Sequence, residues 1–391
     1  MRILLIAPHP FYQERGTPIA VDMLCRVLTE YGIHIDLATF HEGSDKNYPN
    51  LNINRIKSNR WLKSIGPGFS IKKLICDYYL FKCVRKLVNQ NDYNLIHAVE
   101  EGAFIALYFH WRRDLPFVYD MDSSMSAQLI EKMPWLTPFR KLFVFLEARP
   151  IKKAIHVMPM CQQLVDDAKA IGAQNITLLK DVSLVDPQAE NREHCLDLRK
   201  SYNIDCPLLM YIGNLEHYQG IDLLLSSLAL VLEQNVDLKL AIIGGSDKHI
   251  SFYRQQCESL SMSENVIFTG PMALEFLGQL MSQADCLVSP RIKGGNTPMK
   301  IYTYMDSNRP ILATNLDTHT QVLSDKTAFL CDPTEENMAR GITDLLTNRA
   351  KSEEVAAQAK RQVREEHSYE HYRHTLINAY NQIKSQLNIE P

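Results

Sequence analysis

Between Ser289 and Met305 the chain reads SPRIKGGNTPMKIYTYM, an apolar run that ends in a small, polar turn and then re-enters a helical pattern. Three cations frame the turn: Arg291 and Lys293 before it, and Lys300 in the first turn of the expected helix. Glycine permits a close backbone approach, and the N–H groups at a helix start favour an anion. Cations placed there oppose the helix dipole unless an anion meets them. Gly295, Asn296 and Thr297 fill the turn, with Asn296 and Thr297 set to cap a helix begun by Pro298. The chemistry this predicts is phosphate binding.

Two other junctions share the character. APHPFYQERGTPIAV follows the first strand-like run and opens a helix at Gly16, Thr17 and Pro18. YIGNLEHYQGIDLLL places Gly213 at a strand end and Gly220 before a helix, with Asn214 and Gln219 between them. Groups for proton transfer lie elsewhere. HAVEEGAFIAL sets His97, Glu100 and Glu101 at one strand end, and VYDMDSS sets Asp120 and Asp122 at another. Paired acids position a sugar or act as a base; one of the glutamates capping the next helix is the structural alternative. Asp120 is open to either a ligand role or that of a cap or buried acceptor. The remaining histidines, such as His249 and His371, read as surface residues.

The elements that must hold these groups follow from periodicity. RILLIAP, HIDLATF, LNINRI, LIHAV, FVYDM and AIHVMPM read as strands in the first half; LLMYIGN, LKLAIIGG, NVIFTG, DCLVSP, RPILATN and TAFLCD do so in the second. Amphipathic segments alternate with them, which is the pattern of parallel sheets covered by helices. A length of 391 residues exceeds one ordinary domain. The reading is therefore two doubly wound domains. They span residues 1–182 and 183–367, joined through 178–194, with a final helix over 368–387 packing back on the first domain. Nine cysteines scattered without a C-x-x-C pair read as reduced thiols, not as a disulfide frame or a zinc site. MRILLIAPHP reads as a buried strand and not a signal peptide, and no run approaches the roughly 18 apolar residues of a membrane span.

The sequence resembles glycosyltransferase family 4, retaining enzymes of the GT-B fold that move a sugar from a nucleotide donor. The marks are RGTPIAV, YIGNLEHYQGIDLLLSSL, AIIGG, VIFTGPMALEFLGQLMSQADCLVSP and KIYTYMDSNRPILATN, the second half matching more specifically. The resemblance implies two Rossmann-like domains facing across a cleft, the first taking the acceptor and the second the nucleotide sugar. It adds Gly244, Gly245, Pro271, Met272 and Thr303 to the donor-binding set. It also implies a role in cell-envelope glycan synthesis, with a glycan or lipid-linked acceptor. The departures are equally definite. The family's Arg and Lys on the diphosphate fall on Asn214 and Gln219, its two glutamates fall on Gly295 and Thr303, and its histidine falls on Asp122. The reading is a subgroup with a remodelled donor site, in which acids and cations were exchanged together.

With no nucleophile evident, the leaving diphosphate would help deprotonate the acceptor while N–H groups and cations neutralise its charge. Gly16, Asn214, Lys293 and Lys300 are the candidates, Asp122 orients the acceptor, and neither a cofactor nor a metal is required. A non-catalytic sugar-nucleotide-binding protein and a nucleotide-sugar epimerase of the same fold are the competing readings.

Charge separates the halves. Residues 1–185 hold 23 Lys and Arg against 18 Asp and Glu, and residues 186–391 hold 19 against 27. Arg55–Lys86 carries nine cations and one acid, Asp77, interleaved with Trp61, Phe69, Tyr78, Tyr79 and Phe81; PWLTPFRKLFVFLEARPIKK repeats the character. Lys72, Lys73, Lys82, Arg85 and Lys86 either sit on anionic lipid or form a solvated face. The protein is accordingly expected in the cytoplasm, free or peripheral on the inner membrane face. A nucleic-acid partner is not expected, since no recognised binding motif accompanies the cations.

Overall fold

The computed structural model describes residues 1–14, 16–57, 62, 65–66, 70–185, 196–294 and 297–389. Two compact units divide the chain: Met1–Asp181 with Tyr372–Pro391, and Val182–His371. Of the join read at 178–194, residues 186–194 lie outside the described residues.

The first unit is a parallel sheet of six strands: β1 (Arg2–Ala7), β2 (His34–Thr39), β3 (Leu51–Arg55), β4 (Leu95–Val99), β5 (Phe117–Met121) and β6 (His156–Pro159). They lie in the order β3-β2-β1-β4-β5-β6. Crossovers between parallel strands require long connections. These are supplied by α1 (Gly16–Glu30), α2 (Ile71–Gln90), α3 (Gly102–Arg113), α4 (Met125–Lys132) and α5 (Arg140–Lys153), with a 3-10 turn at Pro134–Phe139 before α5. Helix α6 (Gln162–Ile171) follows β6. Apart from the partly buried edge strand β3, the strands are mostly apolar and buried because helices cover the sheet.

The second unit repeats the design with β7 (Leu208–Ile212), β8 (Lys239–Ile243), β9 (Val266–Gly270), β10 (Cys286–Ser289), β11 (Ile311–Thr314) and β12 (Phe329–Cys331). Their order is β12-β11-β10-β7-β8-β9, again all parallel. Its helices are α7 (Leu198–Ser201), α8 (Ile221–Leu232), α9 (Asp247–Ser259), α10 (Leu277–Ser282), α11 (Lys300–Asp306), α12 (Asp317–Thr320), α13 (Glu335–Thr347) and α14 (Arg349–Glu366). Helix α15 (Tyr369–Gln386) ends the chain's regular structure. All twelve strands fall within the runs expected from the sequence.

Side-chain alternation builds two cores in this unit. Leu209, Tyr211, Leu240 and Ile242 pack under α8 and α13. Leu208, Met210, Ala241 and Ile243 pack on the other face with α10, α11 and α14. Full burial of one such aliphatic side chain is worth about 1.5–3 kcal/mol, so this alternation fixes the register. Each sheet reverses its strand order once, at β1/β4 and at β10/β7, and ligands of open α/β sheets bind outside the strand ends at such points.

Candidate functional site: a cationic turn cluster and an acid cluster

The loops leaving β7 and β10 are fastened to each other at the switch point of the second sheet. Ile292 N–H donates to the Tyr218 carbonyl at 3.0 Å. Gly220 has φ +74°, and a Cβ there would lie 1.9 Å from the Pro290 carbonyl oxygen, so no other residue fits. Behind them, Gly244 accepts the same constraint: its Cβ would stand 2.3 Å from the Gly213 carbonyl oxygen. A bare backbone therefore backs the Gly213 turn.

Onto this frame the structure sets two cations. Lys300, the first residue of α11, is half-buried; its ammonium donates to Gln219 Oε1 at 3.1 Å and lies 4.0 Å from the centre of the Tyr211 ring. Burial, and then repulsion from Arg291, push its pKa well below the ordinary lysine value. Among the described residues no carboxylate contributes to that shift. The Arg291 guanidinium stands 5.0 Å from the Tyr218 ring centre and donates through Nη1 to Thr318 Oγ1 at 2.7 Å. Tyr211 is itself held, donating to the Asn214 carbonyl at 2.6 Å. An arriving phosphate would relieve both the repulsion between Lys300 and Arg291 and the desolvation penalty on Lys300, so this pair is suited to an anion.

His319 braces the same corner. It is fully buried, its Nδ1 lies 2.9 Å from the Thr314 carbonyl oxygen, and its Nε2 lies 2.9 Å from Ser289 Oγ. Burial, with Lys300 and Arg291 nearby, lowers its pKa to about 4. The partners assign a neutral imidazole that donates from Nδ1 and accepts the serine hydroxyl at Nε2. It fixes the ends of β10 and β11 without adding charge.

Several expected donor residues are placed differently. The Thr297 cap is not formed: α11 starts at Lys300, its N-cap Met299 makes no side-chain bond, and the Thr297 hydroxyl is buried. Pro298 instead accepts the Ile301 N–H at its carbonyl, 2.9 Å away, in a turn just ahead of the helix. Thr303 is 2% exposed, and its hydroxyl accepts the Leu184 N–H at 3.3 Å, so it anchors the preceding segment. Gln219 is buried and committed to Lys300, while Asn214 is exposed and accepts the Glu216 N–H through Oδ1. Lys293 is exposed. Gly245 packs on Leu215, and Pro271 and Met272 follow β9, two strands from β7. Gly295 and Asn296 lie outside the described residues.

In the first unit the acids converge. Asp120 takes His97 Nε2 at 3.3 Å, and His97 Nδ1 meets the Tyr380 hydroxyl of α15 at 2.8 Å. With both nitrogens engaged and the ring fully buried, His97 positions Asp120 and is closed to a substrate. Asp122 accepts a hydrogen bond from Thr17, next to Gly16 at the start of α1. Burial of its carboxyl, with Asp120, Glu100 and Asp181 close by, pushes its pKa well above the carboxylate range. Asp181 is pushed up to about 7 by burial and then by Asp120. Asp122 is thus the carboxyl of this cluster whose protonated form the fold favours, a form able to donate to a hydroxyl. Glu100 adopts φ 46° and accepts the Ala103 N–H at its carbonyl, and Glu101 is the α3 N-cap without a side-chain cap bond. The Glu101 carboxylate instead pairs with Lys73. Lys73 is 13% exposed and belongs to this polar cluster, not to an outward basic face. Trp61 and Phe69 lie outside the described residues.

Sequence reasoning missed Tyr211, Tyr218, His319, Asp181 and Tyr380. The two tyrosines bracket the Gly213 turn in YIGNLEHYQ, and that bracketing was the available signal. The other three reach their clusters from distant segments.

Comparison with known proteins accords with this arrangement. Residues 197–362, which include the cationic turn cluster, match the family model of glycosyl transferases group 1. An uncharacterized glycosyltransferase of Methanocaldococcus jannaschii is 22% identical over 194 residues, 48% of each chain, so the match spans about half the length of that relative. Among solved structures, a sucrose-phosphate synthase from Thermosynechococcus elongatus superposes with TM-score 0.78 at 17% identity, over 98% of this chain and 99% of its own. Anabaena HepE in complex with UDP gives 0.73 at 14% identity over 98% and 100%. WaaG, a glycosyltransferase involved in lipopolysaccharide biosynthesis, gives 0.67 at 14% identity over 96% and 98%. The chain thus has the two-sheet α/β fold of GT-B glycosyltransferases, and its second half is similar to the glycosyl transferases group 1 across the segment that carries Arg291 and Lys300.

Proposed function

We propose that this protein is a retaining glycosyltransferase that moves a sugar from a nucleoside diphosphate sugar to a glycan or lipid-linked acceptor of the cell envelope. The observation that carries the reading is the pair Lys300 and Arg291, each lowering the other's preference for charge, at the switch point of the sheet that lies in the segment matching the family model. The diphosphate binds against Lys300, Arg291 and the Gly213 turn. As the bond to the sugar breaks, negative charge grows on the leaving phosphate, and these groups stabilise it in place. The acceptor hydroxyl loses its proton to the departing diphosphate. Asp122, whose neutral form the fold favours, orients that hydroxyl by a hydrogen bond. All positive charge in this scheme comes from side chains, so no metal is needed. UDP is the first nucleotide to test, because HepE is seen with UDP and with UDP-glucose.

Incubation with UDP-, GDP-, ADP- and TDP-sugars tests the reading: one donor is consumed with release of its nucleoside diphosphate, and more rapidly when an acceptor is added. The neutral pair Gly295 and Thr303, at positions where the family resemblance implies glutamates, favours a second reading, a nucleotide-sugar-binding protein without turnover. Tight binding of one donor with no consumption over long incubation selects that alternative, and an isomerised sugar still on its nucleotide selects an epimerase.

A further inference from the structure

The connection from α4 into α5 presents apolar side chains to solvent in a way a soluble face does not require. Trp135 is 70% exposed, Phe139 52%, Leu142 49% and Phe145 57%. Positions 135, 139, 142 and 145 follow helical spacing and make one stripe that Arg149 continues, its guanidinium 4.7 Å from the Phe145 ring centre. The opposite side of α5, through Glu147, Pro150 and Ile151, is the buried one. Patches of this size on a folded chain mark interaction surfaces.

Charge selects the occupant. From Lys132 to Lys153 there are six cations and a single acid, Glu147. That acid is buried, and it accepts the Met125 and Ser126 N–H groups at the start of α4. The exposed part of the segment is therefore purely cationic, with Glu131 just before it. A second copy of the chain would bring six cations against six. An anionic bilayer offers the complement, with headgroups for the cations and an acyl boundary for the rings.

We propose that the 3-10 turn Pro134–Phe139 and the first turns of α5 dock this protein on anionic lipid, the rings entering the headgroup region between the cations. This surface differs from the α2 segment that sequence alone emphasises, where Lys73 is turned inward to Glu101. It is also independent of donor chemistry, so binding to lipid and binding to nucleotide can fail separately.

The experiment is flotation of the full chain with phosphatidylcholine vesicles containing or lacking phosphatidylglycerol, at low and high salt. Wild-type protein should float with the anionic vesicles, at least tenfold less with neutral ones, and lose binding as salt screens the cations. Lys141→Glu with Arg149→Glu should reduce the bound fraction at least tenfold. Phe139→Ser with Phe145→Ser should do the same, while melting temperature and nucleotide affinity stay unchanged. In a chain carrying Trp61→Phe and Trp111→Phe, Trp135 is the remaining tryptophan, and brominated lipid should quench it. Equal binding to both vesicle types, binding to neither, or variants that float like wild type would overturn the proposal. So would a lipid-free dimer that the same variants dissolve.

Discussion

Replacing Lys300 by methionine separates a ligand-binding lysine from a structural one. The ammonium is half-buried, beside the Arg291 guanidinium, and its recorded partners are the Gln219 amide oxygen and the Tyr211 ring. If it served stability, removing it would lower the melting temperature. The depressed pKa argues the opposite, because the fold penalises the charged form. The sign is explicit: a lysine whose folded pKa lies below its unfolded value makes the free protein more stable as pH rises from that lowered pKa toward 10.5. Lys300→Met keeps the aliphatic stem on Tyr211 and removes the repulsion, so the ligand-free melting temperature should hold or rise. Nucleotide binding should weaken by about 1.5–3 kcal/mol, the range for a hydrogen bond to a charged group. That is roughly a 10- to 150-fold increase in Kd. Titration calorimetry in two buffers of different ionisation enthalpy gives a second readout. At pH values between the lowered Lys300 pKa and the ordinary lysine value, wild-type protein should take up protons on binding, because a diphosphate raises that pKa, and affinity should fall as pH rises through this window. Lys300→Met should abolish the uptake. An unchanged Kd with a melting temperature several degrees lower would refute the reasoning.

Three other outcomes follow from the same geometry. Turnover should survive a chelator, measured as nucleoside diphosphate release; full and reversible loss would make Asp120 and Asp122 metal ligands. Asp181→Asn should stabilise the protein at pH 8 and have no effect at pH 4, since a carboxyl raised from 3.8 to about 7 costs stability as pH climbs through that window. Melting curves at the two pH values check this, at about 2–4 °C per kcal/mol for a unit of this size, and an equal shift at both would discard the assignment. Gln219→Lys introduces the cation that the family resemblance implies at this position but sets it against Lys300, so the ligand-free melting temperature should drop and recover on adding nucleotide. A variant stable without nucleotide would show that the two amines do not meet.

The twelve strands were legible because a strand covered on both faces must be apolar almost throughout, and RILLIAP and LKLAIIGG have no other plausible reading. Lys300 and Arg291 were legible for a different reason: cations at a helix start run against the dipole and ask for an explanation. Pairing was not legible. Nothing in KIYTYM says that Thr303 turns to Leu184 and not toward a ligand, because a seven-residue helix gives too little periodicity to orient each face. Lys73 looked like its neighbour Lys72, and only the placement of α3 brings Glu101 to it. His319 carries no local signal, since its role arises from strands β10 and β11 being adjacent. Asp181 and Tyr380 lie far along the chain from His97 and Asp120, and their convergence is a property of topology.

The contact of Gly220 with the Pro290 carbonyl has a practical consequence for anyone wishing to redesign the proposed donor site. The two loops meet with no space for a methyl group, so they behave as a single movable part. Grafting the loop after β10 from a relative, while keeping the native loop after β7, would set foreign backbone against Gly220 and displace Lys300 along with it. Loop exchange should therefore be done in pairs, 213–220 together with 290–299, and libraries that vary one loop alone should yield mostly inactive chains whatever side chains they sample.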